Sequence, residues 1–384
     1  MKSEWKTIRA ANFMEFNPRR NLKKGTIATK ISMDKLQPYT KKIPETEQAE
    51  FSGGTKFSNG DTIMARITPC LENGKTAFVD CLNKDEVAFG STEFIVLRAK
   101  PGVSDAQFVY YLATSPEFRQ VAIKSMVGSS GRQRVQQPVL ENLELVVPEL
   151  PEQKRIGEFL AAIDDKIALN AKINDNLSDL LQTIYQGQFG KVGLANNCGI
   201  LADICSYSKD KIEISKLSLD TYYSTENMLP EKSGAVKATS LPTTSQTTAC
   251  HKGDTLISNI RPYFKKIVYC EDDCGCSTDV LCFKPVHPRY TAYLFSTLYA
   301  DSFFDFMVAG AKGTKMPRGD KQQIMTYPVV LPSEKDLSEF NSVATPILTQ
   351  IYSNRTESER LSAIRDTLLP KLILGEIDVS SIQL

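Results

Sequence analysis

The sequence predicts an α+β protein in which two domains, related by pseudo-twofold symmetry, are separated by two long helices packed as an antiparallel coiled coil. Two observations support this fold class. A long amphipathic stretch begins at Glu152 and a second begins at Glu334. The segments that precede the two stretches resemble each other. A chain of 384 residues is long enough for two or three domains, each with its own core.

The first long helix is predicted over Glu152 to Phe189, a stretch without proline. Its apolar residues recur at steps of three, four and seven, which is the pattern of one helix face. At ~1.5 Å per residue this helix is about 50 Å long, which suits a spacer better than a cover for one small domain. The apolar positions expected to face a partner include Ile156, Ile163, Ile167, Leu177 and Ile184.

An internal duplication organises the rest of the chain. The Gly-Asp-Thr strand over 60–67 is matched by 253–260, and the strand over 91–97 is matched by 277–283. In each half a Tyr- and Phe-rich helical segment follows, then a glycine-containing polar loop, then a strand that ends in proline. The sequence therefore predicts the same domain twice.

The second long helix, predicted over Glu334 to Leu372, repeats the first at an offset of 184 residues. We expect antiparallel packing, since this places the two domains at opposite ends of the helices. Two asparagines, Asn170 and Asn354, lie near the seam. Each either fixes the helix register as a buried amide or is a solvated edge residue. The matched positions of the second helix are Ile351, Asn354, Leu361 and Leu368.

These patterns give four predicted segments. Residues 1–150 form the first α+β domain, and residues 151–190 form the first spacer helix. Residues 191–332 form the second domain, and residues 333–384 form the second spacer helix with a C-terminal tail.

Composition sets further bounds. The chain has 46 basic and 45 acidic residues, so any surface that attracts nucleic acid must be local. Nine irregularly spaced cysteines favour reduced thiols over a disulfide framework. No apolar run is long enough to span a bilayer, and the N-terminus lacks a signal core. We therefore expect a cytoplasmic protein without membrane contact.

Several kinds of catalytic site are excluded by the residues present. The sequence has no phosphate-binding GxxxxGK[ST] loop, and its only histidines are His251 and His287. A histidine-based site cannot therefore occur in both halves. The cysteines from Cys270 to Cys282 lack paired CxxC spacing, which favours small core side chains over a zinc site. We expect no catalytic residue, no metal and no bound cofactor on this chain.

Basic residues in and near the duplicated loops are the candidates for contact with DNA. Loops of glycine, hydroxyl and basic side chains can bind phosphates and base edges. For the loop residues the recurrence in both halves favours binding over a solvated surface charge. For Arg19, Arg20, Arg261 and Lys265 both interpretations stay open. The candidate DNA-binding residues are Arg132, Arg134, Ser130, Lys312, Thr314, Lys315, Arg66, Arg261, Lys265, Arg19 and Arg20.

The order of these motifs resembles the DNA-specificity subunits of type I restriction-modification systems. The resemblance rests on the two Gly-Asp-Thr strands, the junction Pro148 to Ile156 and the closing segment Leu368 to Ile377. It implies two target-recognition domains, each reading one half of a bipartite site in double-stranded DNA. The junction at Leu331 to Asp336 departs from the first, which puts partner docking at that end in doubt.

The resemblance also implies partners. The spacer helices would dock two modification (methyltransferase) subunits, which carry S-adenosylmethionine, and restriction/translocase subunits would cut unmodified DNA. This chain would then be a non-catalytic subunit of a DNA adenine methyltransferase and restriction endonuclease complex. The alternative is a structural adaptor without DNA, whose paired domains bind proteins on a coiled-coil scaffold.

Overall fold

The computed structural model describes residues 5–190 and 197–379. The chain is α+β and forms two compact units. Unit 1 contains residues up to Asn170 and from Glu357 onward, and unit 2 contains Ala171–Thr356. The dividing points lie inside the two long helices, whereas the sequence places domain boundaries at the helix ends. No helix in the described ranges is long and apolar enough to cross a bilayer.

Unit 1 is built on ten strands and the helices around them. The strands are β1 (Lys6–Arg9), β2 (Met14–Phe16), β3 (Ile27–Ile31), β4 (Glu47–Glu50), β5 (Thr55–Phe57), β6 (Thr62–Ala65), β7 (Thr76–Phe78), β8 (Ala88–Gly90), β9 (Phe94–Ala99) and β10 (Glu144–Val147). The helices are α1 (Ala10–Phe13), α2 (Ala106–Thr114), α3 (Pro116–Lys124), α4 (Gln137–Glu141) and α5 (Leu150–Phe189), of which α5 continues into unit 2.

Unit 2 repeats this order. Its strands are β11 (Cys198–Ile200), β12 (Cys205–Tyr207), β13 (Lys211–Glu213), β14 (Tyr222–Tyr223), β15 (Gln246–Cys250), β16 (Thr255–Ser258), β17 (Ile267–Tyr269), β18 (Cys274–Cys276), β19 (Val280–Pro285) and β20 (Pro328–Val330). Its helices are α6 (Thr291–Tyr299), α7 (Asp301–Ala309), α8 (Lys321–Ile324) and α9 (Glu334–Ile373), of which α9 ends in unit 1.

Sheet topology confirms the duplication. The order β2-β9-β6-β7 in unit 1 corresponds to β12-β19-β16-β17 in unit 2. The strand register agrees as well. Ile63 pairs with Val96 in unit 1, and the equivalent residues Leu256 and Cys282 pair in unit 2. The second sheets of the two units share three equivalent strands. The fourth strand is β4 in unit 1, where it pairs with β3, and β13 in unit 2, where it pairs with β15. It therefore lies on opposite edges of the two sheets. The duplication is therefore closest in the first sheet.

The two long helices run antiparallel within each unit, as predicted. In unit 1, Arg365 Nη1 donates to Asp164 Oδ1 and Asn170 Nδ2 donates to Ser358 Oγ. Residue numbers therefore rise along α5 in the direction in which they fall along α9. In unit 2, the Asn354 Nδ2 donates to Asn174 Oδ1 at 2.8 Å. Both Asn170 and Asn354 are buried, which excludes the solvated-edge interpretation.

Apolar side chains of both helices enter the cores of the two units. In unit 1, Leu160 of α5 and Leu372 of α9 lie in one cluster with the α2 aromatic residues. In unit 2, Tyr185 of α5 lies 6.3 Å from the ring of Phe340 of α9, centroid to centroid. Each helix is therefore part of its unit's core, which is why helix residues group with the domains. All ten predicted apolar and amide helix positions are buried or half-buried: Ile156, Ile163, Ile167, Asn170, Leu177, Ile184, Ile351, Asn354, Leu361 and Leu368.

Candidate nucleic-acid interface

The glycine-containing loop of unit 1 folds back onto the end of β6. The backbone N–H of Arg134 donates to Val127 O at 3.0 Å, and Val135 N–H donates to Arg66 O at 2.8 Å. Between Val127 and Arg134 the chain turns at Gly128 and Gly131, both at positive φ, which glycine adopts without steric cost. We call the surface of Arg66, Glu93, Arg132 and Arg134 the first platform.

Unit 2 builds the same arrangement from different residues. The backbones of Lys312 and Arg318 bond each other reciprocally at 2.9 Å, and Arg261 N–H donates to Pro317 O at 2.8 Å. The backbone N–H of Asn259 donates to Asp279 O, as Arg66 N–H does to Glu93 O in unit 1. We call the surface of Asn259, Asp279, Lys312 and Arg318 the second platform.

An internal ion pair occupies equivalent places on both platforms. The Arg134 Nε lies 3.0 Å from both carboxylate oxygens of Glu93, and its Nη2 lies 2.6 Å from Oε1. In unit 2 the Arg318 Nη2 lies 3.0 Å from Asp279 Oδ1. A carboxylate thus fixes the direction of each guanidinium through charge-assisted hydrogen bonds.

Similarity to known proteins agrees with this duplicated architecture. Residues 2–179 match the family model described as the type I restriction modification DNA specificity domain. The chain is 38% identical over 104 residues to the type I restriction enzyme EcoAI specificity subunit of Escherichia coli. It is 36% identical over 108 residues to the EcoEI specificity subunit of the same organism. Over residues 2–179 the chain is therefore similar to the type I restriction-modification DNA specificity domain.

The extent of these matches differs between sequence and structure. The two matches to specificity subunits cover 27% and 28% of this chain, and 18% of the length of each relative. The crystal structure of the type I restriction-modification system S subunit from M. genitalium aligns over 96% of both chains, with a TM-score of 0.55 and 17% identity. At that identity the likeness shows a shared fold over nearly the whole chain.

The predicted DNA-binding residues fall into three groups. The first group is exposed, and no hydrogen bond or ion pair in the described ranges engages its side chains: Ser130, Arg132, Thr314, Lys315, Arg19 and Arg20. The second is exposed or half-buried and ion-paired within its unit: Arg134 to Glu93, Lys312 to Asp320 and Lys265 to Asp301. The third is half-buried, with a buried Nε that has no hydrogen-bond partner in the described part of the chain: Arg66 and Arg261.

Hydrogen bonds shift the pKa values of three charged groups on or beside the platforms. The hydrogen bond from Lys312 lowers the pKa of Asp320. The hydrogen bond to Glu93 raises the pKa of Arg134. Hydrogen bonds from Lys232 and Lys265 lower the pKa of Asp301. These hydrogen bonds favour the charged forms of Asp320, Arg134 and Asp301.

The structure shows which residues occupy equivalent positions on the two platforms. Arg134 corresponds to Arg318, which the sequence did not single out for DNA binding, and Lys312 lies where unit 1 has Val127. Arg66 corresponds to Asn259, and Arg261 corresponds to Thr68. The loop of unit 1 is one residue longer than that of unit 2 between its two bridge positions. The sequence signal for the two ion pairs is the acidic residue that follows a Ser-Thr pair in each half, Glu93 and Asp279.

Five cysteines of unit 2 lie in one buried cluster: Cys250, Cys270, Cys274, Cys276 and Cys282. Cys250 of β15 is the register partner of Cys274 of β18, and Cys282 of β19 packs in the same cluster. The corresponding positions of unit 1 are Phe57, Ala88 and Val96. The space that thiols occupy in unit 2 is therefore occupied by apolar side chains in unit 1. Within residues 5–190 and 197–379, no group of three or more His, Cys, Asp or Glu side chains is arranged to hold a metal ion.

Proposed function

We propose that this chain is the DNA-specificity subunit of a type I restriction-modification complex. Unit 1 and unit 2 each read one half of a bipartite site in double-stranded DNA. The observation that carries this proposal is the repeated platform. A family model described as a DNA specificity domain matches residues 2–179, which include all the strands of unit 1. Unit 2 repeats the first sheet, the returning loop and the guanidinium–carboxylate pair of unit 1.

The two kinds of platform residue serve different steps. Exposed cations such as Arg132 and Lys315 are free to neutralise phosphates, which supplies affinity without sequence information. The arginines held by Glu93 and Asp279 are oriented before DNA arrives, so less freedom is lost when they meet a base edge. Affinity and sequence discrimination therefore depend on different residues.

The reaction itself belongs to partner subunits in this proposal. The chain is non-catalytic and binds no cofactor, and the long helices dock two modification subunits. Those subunits bring S-adenosylmethionine and methylate adenine, while restriction/translocase subunits act on unmodified DNA. Exposed apolar side chains on the helices, such as Leu169, Leu180 and Ile364, offer surface for such docking.

A salt titration of DNA binding tests the proposal. The full chain is titrated against duplex DNA in a gel-shift assay at several salt concentrations, with Arg132→Ala and Lys315→Ala as variants. Each variant should lower the slope of log affinity against log salt by about 0.9, the value for one lost phosphate contact. The matched control is Lys154→Ala, an exposed lysine of α5, which should leave the slope unchanged.

Two results would count against the proposal. Equal slopes for all four proteins would remove Arg132 and Lys315 from the interface. Absence of salt-dependent duplex binding by the full chain would favour a protein adaptor instead.

A further inference from the structure

A cavity of about 640 Å³ opens beside the second platform. Its wall includes Arg261, Phe264, Lys266 and Glu226, together with Asp279 of the platform itself. Cavities of roughly 300–1,000 Å³ are typical of small-molecule sites. A base pair inside a DNA helix presents only its groove edges, so it cannot fill a concave site of this size. A single nucleotide turned out of the duplex can.

We propose that unit 2 holds one unpaired nucleotide of its DNA in this cavity. The proposal rests on the proposed function and specifies how the second half of the site is read. The nucleotide's base stacks on Phe264, and its phosphate lies against Arg261 and Lys266. The carboxylates of Glu226 and Asp279 accept hydrogen bonds from the base's amino group.

The backbone around Phe264 presents its ring to solvent. Pro262–Phe264 form one tight helical turn, and the residues on either side, Arg261 and Lys265, are both left-handed with φ of 51° and 50°. Non-glycine residues rarely adopt this conformation, and such strain concentrates at binding sites. The turn leaves Phe264 37% exposed. An aromatic ring held at a cavity edge is a surface on which any base can stack.

The polar wall of the cavity has unused hydrogen-bonding capacity. Lys266 Nζ donates to Thr225 O at 2.6 Å and lies 5.9 Å from the centre of the Phe264 ring. The Arg261 Nε and the Ser277 Oγ are buried and have no hydrogen-bond partner in the described part of the chain. Buried polar atoms are nearly always paired, so these two atoms favour a polar ligand in the cavity.

Unit 1 lacks the corresponding features. At the positions equivalent to Tyr263 and Phe264 it has Cys70 and Leu71, and Leu71 is fully buried. At the position of Arg132 on the first platform, unit 2 has Met316, which also lines the cavity. An exposed cation suits a phosphate, whereas an exposed thioether suits the face of a base. The inference therefore applies to unit 2 alone.

An affinity comparison between two DNA duplexes tests the inference. The duplexes are identical except that one carries a single unpaired adenosine in its centre. The full-length chain, together with any subunits that co-purify with it, should bind the bulged duplex about tenfold more tightly, because no base pair has to be broken and one stacking contact is gained. Phe264→Ala should abolish this preference, because it lowers the affinity for the bulged duplex more than the affinity for the perfect duplex. Phe264→Tyr should restore the preference.

The neighbouring aromatic residue provides the matched control. Tyr263 is exposed on the same turn but does not line the cavity, so Tyr263→Ala should keep the preference for the bulged duplex. Equal affinity of the parent protein for both duplexes would overturn the cavity assignment and leave the proposed function standing. A preference that survives in Phe264→Ala would overturn it as well. If the parent binds neither duplex, both the cavity assignment and the proposed function fail.

Discussion

Asp164 of α5 joins three elements of unit 1, and its replacement by alanine gives the sharpest stability prediction. Its Oδ2 accepts a hydrogen bond from the Tyr111 hydroxyl of α2 at 2.6 Å. Its Oδ1 lies 2.6 Å from Arg365 Nη1 of α9. Both partners of the ion pair are largely buried, with side-chain exposures of 6% and 14%. One carboxylate therefore holds both long helices and the domain helix α2 together.

Removing this carboxylate leaves a buried guanidinium without its main counter-ion. Breaking a buried ion pair by deleting one partner typically costs about 3–5 kcal/mol. For a domain of 150–250 residues, a loss of 1 kcal/mol lowers Tm by roughly 2–4 °C. Asp164→Ala should therefore lower the Tm of unit 1 by about 6–20 °C. Differential scanning calorimetry of the full chain measures this shift.

The adjacent residue supplies the control. Asp165 also carries a carboxylate and lies 3.0 Å from Lys42 Nζ, but its side chain is 55% exposed. Because exposed ion pairs contribute about 0–1 kcal/mol, Asp165→Ala should shift Tm by at most about 4 °C. Changing Asp164 to Leu and Arg365 to Met together should recover most of the loss, because no charge is then left buried. If the Asp164 and Asp165 variants melt alike, the network does not stabilise unit 1 as argued.

Two further predictions concern unit 2 and the thiols. Burial raises the pKa of Tyr185 to about 12, so folding favours its protonated form. This contribution to stability is complete below pH ~10, the ordinary tyrosine pKa, and is lost as the pH rises through about 12. Denaturant midpoints should fall less over this range in Tyr185→Phe than in the parent, and equal falls would contradict the burial argument. Thiol labelling of the native chain should modify exposed Cys81 and Cys198 first and buried Cys270 only on unfolding, as mass spectrometry of labelled peptides would show. Rapid native labelling of Cys270 would contradict its place in the core.

The helices and the duplication could be predicted because they depend on local patterns. The first long helix was expected from Glu152 and begins at Leu150, with Pro151 in the first turn, where proline is tolerated. The two Gly-Asp-Thr strands lie at the same place in equivalent sheets, because the same alternation of apolar residues buries the same face.

The site could be predicted only in outline, because its contacts join distant residues. Arg134 lies 41 positions from Glu93, and no local pattern links them. The two loops differ by one residue in length, so a simple alignment of the loops does not show that Arg134 and Arg318 are equivalent. The link from Asp164 to Arg365 spans 201 positions and depends on the helix register, which sequence periodicity alone leaves open.

Selection of bound sequences from random duplex DNA tests the central claim most directly. The full chain, with any subunits that accompany it, is incubated with a library of random duplexes, and the retained DNA is sequenced. The account predicts two short specific segments separated by a fixed number of unspecified base pairs, since two units on one pair of helices each read one segment. Recovery of one uninterrupted motif, or no enrichment over the starting library, would contradict it.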